Sequence, residues 1–278
     1  MAKRNRSITS AKIDKWKKEG RGQGHGVDYK PSLTIRDVPS KGLSTRSKGK
    51  KIPRVYHTLS MRETGYLRIV EWSEQVIDIR EQYSLPLQDT LDIAERFGIK
   101  HPVDPKTKEY VPLSTDFLID IVNILGQRKV IARTVKLSRD LDNVRTLEKF
   151  QIERIYWAER EIDWGIVTEK EISSVFAENI KTVSKCKVLS DFPSITPQIV
   201  SQVESILFEK VLNEEPLAVA ARMTDQLLNI KQGTSLTVCY YLVANKIWFI
   251  NMEEPLDTGK TICITRSGKN LNVMGEKC

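Results

Sequence analysis

A mixed α/β domain followed by a mainly helical one is the fold class the sequence predicts: a mixed sheet flanked by helices, then a helical module closed by a hairpin. Three observations predict it. Between residues 59 and 170 the hydrophobic pattern changes period in the order helix, strand, strand, strand, helix, strand. After about residue 170, helical spacing dominates and ends in a short strand pair. Charge divides the chain in three: residues 1–60 carry 16 basic and 4 acidic side chains, residues 61–170 carry 17 and 20, and residues 171–278 carry 11 and 12. The net +8 of the 278-residue chain therefore comes from its N-terminal fifth, which an anionic partner such as nucleic acid should meet first.

With 40% hydrophobic and 29% charged residues the chain is globular, not disordered or fibrous, and long enough to bury a core without staples. No apolar run approaches the ~18 residues that span a bilayer, so no membrane is expected as a partner. The start, Met1-Ala-Lys-Arg-Asn-Arg, has no apolar segment behind it, which argues against a secretory signal and for a cytoplasmic location. Cys186, Cys239, Cys263 and Cys278 lack metal-ligand spacing, and the first three sit among apolar residues as reduced packing side chains.

Residues 1–58 are poor in apolar periodicity and rich in Lys, Arg, Gly and Ser, and read as a flexible basic arm. Lys3, Arg4, Arg6, Arg21, Lys48, Lys50, Lys51 and Arg54 are its candidate phosphate contacts. Gly20, Gly22, Gly24 and Gly26 alternate without a strand before them, so a phosphate loop is a weak reading. A backbone that approaches a partner closely is the stronger one. The domain of residues 59–170 opens with helical spacing over Leu59–Trp72. The strand Val76–Tyr83 alternates, and a short helix over Leu91–Phe97 stops at Gly98. Thr115–Ile124, the turn Gly126-Gln127 and Lys129–Val135 form two more strands. Val144–Ile162 carries an apolar helical stripe, and Trp164–Thr168 is a last strand. In residues 171–278, helices are predicted over Glu171–Val183, Thr196–Leu212, Leu217–Asn229 and Ser235–Val243. Thr196-Pro197 gives an N-cap followed by proline at the first helical position. Lys246–Met252 and Lys260–Thr265 pair as a hairpin, an arrangement that resembles a winged helix.

Asp116 opens one strand and Lys136 closes the next across a single turn, so antiparallel pairing brings them to one sheet edge. A carboxylate beside a lysine suits metal-assisted phosphodiester hydrolysis, which needs a second carboxylate to hold the ion. Glu63 is the candidate, although Ser60-Met-Arg-Glu63 is also a capping box that stabilises a helix start with no catalysis. Glu153 has Lys149 four residues before it and reads as half of a solvated helix pair; His57 and His101 read as packed or exposed side chains.

The phrases GRGQGHGxDY (20–29), HxLSxxE (57–63), EW (71–72), DIREQ (78–82), GIKHPV (98–103), STDFLxD (114–120), VK (135–136) and RTLEK (145–149) resemble the TnsA family, from about residue 19 to about residue 170. TnsA proteins are the endonuclease subunits of heteromeric transposases. The resemblance implies a restriction-endonuclease-like catalytic domain and a winged-helix-like C-terminal domain that docks transposition partners. It implies Mg²⁺ as cofactor, with Mn²⁺ as a substitute, and the triad Glu63, Asp116 and Lys136. It also implies the Val135 main-chain carbonyl as a metal ligand. Double-stranded transposon ends, cut at their 5′ strands, would be the substrate. The TnsB transposase, which cuts and joins the 3′ strands, and the TnsC ATPase regulator would be partners. One departure is Thr134, where the family carries Gln. Threonine either ligates the metal with its hydroxyl or through water, or leaves the coordination shell, and the site should then demand more Mg²⁺. The neutral C-terminal third, and a Ser235–Val243 segment with no Lys or Arg, favour protein docking over groove reading there. Two other readings remain: a non-catalytic DNA-binding adaptor with a decayed nuclease fold, and a stand-alone restriction or repair nuclease.

Overall fold

In the computed structural model, residues 7–38 and 43–266 are described, and the chain divides into two compact units, residues 1–172 and 173–278. The first unit is built on a four-stranded sheet of order β3-β4-β5-β6: β3 (Val76–Ser84), β4 (Ser114–Val122), β5 (Arg128–Val135) and β6 (Asp163–Val167). The first two pairings are antiparallel and β5–β6 is parallel, so the sheet is mixed, with helix α4 (Val144–Ala158) as the crossover. The central strand β4 is buried on both faces. Phe117 and Ile119 pack with Leu67 and Val70 of helix α2 (Met61–Trp72). Leu118 packs with Ile93 of helix α3 (Leu87–Arg96) and with Ile152 and Trp157 of α4. A strand buried on both sides reads as a continuous apolar run, which Phe117-Leu118-Ile119 supplies. Helix α3 begins at Leu87, earlier than Leu91, because Pro86 takes the N-cap position and fixes the entry.

Residues 7–38 and 43–58 depart from the expected flexible arm. They form helix α1 (Ser10–Lys18), a loop carrying the four glycines, and a hairpin of β1 (Thr45–Lys48) and β2 (Val55–Thr58). Aromatic and branched anchors hold them, with Trp16, Tyr29, Ile52 and Tyr56 all buried. Few and irregularly spaced, such anchors leave no periodic signal. Gly22 and Gly24 have φ of +74° and +91°, and a Cβ on Gly24 would stand 2.7 Å from the Asp28 carbonyl oxygen. These glycines make close approaches within the chain itself: the Gly22 amide donates to the Lys30 carbonyl, and the Gly26 amide to the Asp78 carboxylate on β3.

The second unit contains α5 (Ser174–Val183), α6 (Pro197–Leu212), α7 (Leu217–Leu227) and α8 (Thr234–Ala244). Thr196 caps α6, its hydroxyl accepting from the Ile199 amide. Buried Asp225 of α7 accepts from the amides of Gly233 and Ser235, which fixes the turn into α8. Apolar α8 is a core helix, with Val238, Cys239, Leu242 and Val243 at 2% exposure or less. The expected hairpin shrinks to a two-residue ladder between β7 (Trp248–Phe249) and β8 (Thr265–Arg266). Asn179 ties the intervening loop down, donating to the Met252 and Glu254 carbonyls. Cys186 and Cys239 are free and buried, whereas Cys263 is exposed and disulfide-bonded, not a reduced packing residue. Among the described residues no helix is long and apolar enough to cross a membrane.

Candidate active site

Glu63 reaches the site from the first turn of α2, and local sequence fixes where it points. Ser60 is the N-cap, its hydroxyl accepting from the Glu63 amide at 3.1 Å. The Glu63 carboxylate turns back to accept from the Leu59 amide at 2.8 Å. Asp116 comes from the start of β4, and its Oδ2 accepts from the Val135 amide at 2.8 Å at the end of β5. The expected antiparallel pairing of the two strands is present and brings Asp116 to Val135, the residue before Lys136. Between the two acids lies Gln82 of β3, whose amide Nε2 donates to Glu63 Oε2 at 3.3 Å and to Asp116 Oδ1 at 3.1 Å.

Burial, followed by the charge of Asp116, pushes Glu63 up to about 8. Burial also pushes Asp116 up, to about 6, while the Val135 amide, Gln82 and the Lys136 charge hold it down. Among the described residues no Lys or Arg forms an ion pair with either carboxylate. A buried acid, Glu63, and a half-buried one, Asp116, that face one another and receive only neutral donors are a donor set suited to a hard divalent cation. Lys136 follows β5, its amide donating to the Val167 carbonyl and its Nζ 4.0 Å from Asp140 Oδ2. Its side chain is 38% exposed, which leaves it open to a substrate phosphate.

The expectation for Glu153 is overturned. It is 5% exposed, accepts from the Thr134 hydroxyl and from Trp164 Nε1, and burial pushes it up to about 7. The spacing to Lys149 suggested a solvated pair, but Glu153 also stands three and four residues before Tyr156 and Trp157, on the buried stripe of α4. That periodicity was the available signal. Thr134, 5% exposed, commits its hydroxyl hydrogen to Glu153. His101 is packed, bonded to Thr90 and to the Pro102 carbonyl, and the buried Nδ1 of His57 has no partner.

The candidate phosphate contacts scatter. Lys48 and Lys50 are exposed at the β1–β2 hairpin. Arg21 is drawn inward by Glu19 and Asp37 and lies over the Trp16 ring. Lys51 donates to the carbonyls of Ser73 and Val76. Arg54 is a correction: it is 8% exposed, paired with Glu81 and set against the rings of Tyr29 and Tyr56. Its guanidinium neutralises an internal acid and offers no face to DNA. Lys3, Arg4 and Arg6 lie outside the described residues. One further acidic group, His25, Asp78 and Asp120, could gather around a cation, but Arg80 already pairs with both aspartates.

A mixed sheet flanked by helices, with two facing carboxylates and an open lysine gathered at one end of its central strands, is an arrangement suited to metal-assisted phosphodiester hydrolysis. Two family models match the chain in tandem: "TnsA-like endonuclease N terminal" over residues 73–169 and "TnsA endonuclease C terminal" over residues 171–252. A relative from Escherichia coli, the Transposon Tn7 transposition protein TnsA, is 38% identical over 268 residues, 96% of each chain. The chain belongs to the TnsA family of endonucleases.

Proposed function

We propose that the protein cleaves the 5′ strands at the ends of a transposon in a Mg²⁺-dependent hydrolysis, beside a TnsB-type transposase acting on the 3′ strands and under a TnsC-type ATPase regulator. The observation that carries the chemistry is the Glu63–Gln82–Asp116 contact at the end of β5, next to Val135 and Lys136. The family relation, and the relative's name as a transposition protein, supply the biological setting.

Glu63 and Asp116, with the Val135 carbonyl, would hold Mg²⁺; Thr134, its hydrogen given to Glu153, would contribute a hydroxyl lone pair at most. Bound there, the ion supplies positive charge to the scissile phosphate and acidifies water. Lys136 orients the attacking water or offsets charge as one P–O bond forms and another breaks, the departing oxygen taking a proton. No covalent enzyme intermediate is required. Lys48 and Lys50 are proposed to meet the DNA backbone outside the site.

The second unit is proposed to dock partner protein, since it carries a net −1 over residues 171–278 and its most apolar helix is spent on its own core. The test is strand-specific end cleavage with the partner transposase. Glu63→Ala, Asp116→Ala and Lys136→Ala should each abolish 5′ cleavage and leave complex assembly intact. Retained 5′ cleavage in any of them removes that residue from the triad. Absence of 5′ cleavage in the assembled wild-type complex, with end binding and assembly intact, would favour the adaptor reading.

A further inference from the structure

We infer that Gln82 is a positioning residue of the carboxylate site, an internal amide that holds Glu63 and Asp116 ready for a divalent cation. The inference rests on the metal-dependent reading above and assigns it a further residue. Four features of Gln82 lead to it. The β3–β4 ladder pairs Glu81 with Phe117 and Tyr83 with Thr115 in one register but has no pair at Gln82 and Asp116, so the ladder is interrupted at the site. Gln82 has φ of +49°, a left-handed conformation that a non-glycine residue adopts at a cost of order 1 kcal/mol. The chain meets that cost locally: the Gln82 carbonyl accepts from the Ser32 amide at 3.0 Å and the Ser32 hydroxyl at 2.6 Å. And Gln82 is 2% exposed, so its side chain must find internal partners.

Those partners fix the amide's orientation. Two carboxylate oxygens face one end, which must therefore be the NH₂; the Ser114 hydroxyl donates to Oε1 at 3.4 Å at the other end. A single NH₂ with two hydrogens spans the two acids. It draws together the oxygens that an ion would bind. When a cation enters, the amide yields those oxygens and remains within reach as a neutral neighbour. Side chains that orient ligand carboxylates are typically worth 10–100-fold in metal affinity.

The left-handed backbone and the side-chain contact are separable by substitution. Gln82→Gly keeps the backbone conformation, since glycine adopts positive φ freely, and removes the amide. Gln82→Leu keeps the volume and removes the donors. The experiment is Mn²⁺ binding to the full chain by calorimetry, without DNA, for wild type, both variants and Asp116→Ala. Unfolding midpoints in EDTA are recorded alongside. The expected result is Mn²⁺ binding at least about tenfold weaker in both Gln82 variants, with Gln82→Gly unfolding within a few degrees of wild type. In end cleavage, the Mg²⁺ midpoint should rise while the rate at saturating Mg²⁺ falls less than the midpoint rises. Binding equal to or tighter than wild type in Gln82→Gly overturns the positioning role alone. Absence of Mn²⁺ binding in wild type, or equal binding in Asp116→Ala, overturns the metal reading and this inference with it.

Discussion

Glu63 carries a cap and an acid in one side chain. Its carboxylate satisfies the Leu59 amide at the start of α2 and faces Asp116 across Gln82. Burial first and Asp116 second raise its pKa from 4.5 to about 8, so the folded protein without metal binds the proton more tightly than the unfolded chain does. Stability from this group is fully present below about pH 4.5 and is lost as pH rises toward about 8. The unfolding midpoint in EDTA should therefore fall across pH 5–8 more steeply in wild type than in Glu63→Gln. Parallel curves would show that Glu63 is not a raised carboxyl. Thr134 allows a second test. Its hydroxyl is a donor to buried Glu153, so Thr134→Val should cost about 1–3 kcal/mol in urea unfolding, the cost of leaving a buried acceptor short. Thr134→Gln should lower the Mg²⁺ midpoint of cleavage if the family's residue is the better ligand. How much of the site was legible follows from these residues. Glu63, Asp116 and Lys136 stand in phrases whose spacing survives into the fold. Gln82 did not show, because its role depends on a left-handed backbone that strand alternation conceals. Glu153 was misread because a charge pair at i, i+4 outweighed the apolar stripe on which it also lies.

The elements of the sheet were the most legible part of the fold, because β4 is buried on both faces and α2 and α4 carry apolar stripes. The N-terminal segment was not, since its order comes from a few isolated anchors and one buried ion pair. Arg54 precedes β2 and pairs with Glu81 on β3, whose carboxylate also accepts from the His57 amide. The Arg54 guanidinium in turn donates to the Ile79 carbonyl. These bonds fasten β2 to β3, and β2 leads directly into Ser60 and Glu63. Breaking such a pair leaves a buried charge uncompensated, at a typical cost of about 3–5 kcal/mol. Arg54→Met should destabilise the protein by that order in denaturant unfolding, and the double variant Arg54→Met, Glu81→Met by less. A double variant worse than the single would mean that the pair is not what holds the hairpin. Because β2 sets the approach to α2, the single variant should also raise the Mg²⁺ midpoint of cleavage.

At the scale of the whole chain, the net +8 is a sum over regions with different tasks, and the structure redistributes the basic share. Of the 16 basic side chains in residues 1–60, Arg54 is spent on Glu81, Arg21 on Glu19 and Asp37, and Lys51 on main-chain carbonyls. Such cations stabilise the fold and release no counterions when DNA binds. Lys48 and Lys50, exposed on the hairpin, are the candidates that do. Each phosphate contact contributes about 0.9 to the slope of log affinity against log salt. Lys48→Ala with Lys50→Ala should therefore flatten that slope for duplex DNA by up to about 2. The same two changes should leave the unfolding midpoint within a few degrees, as exposed substitutions do. Arg54→Met should reverse the pattern, lowering stability while the slope of the remaining folded protein stays at the wild-type value. An unchanged slope in the double lysine variant would move the phosphate-tracking surface away from this hairpin. The cations next to the site, Lys136 and the Arg145–Lys149 turn, would then be the ones to substitute. Burial pushes the Lys149 ammonium down, helped by the charges of Arg145 and Lys136, so the three gather positive charge in one place. A phosphate would relieve that crowding.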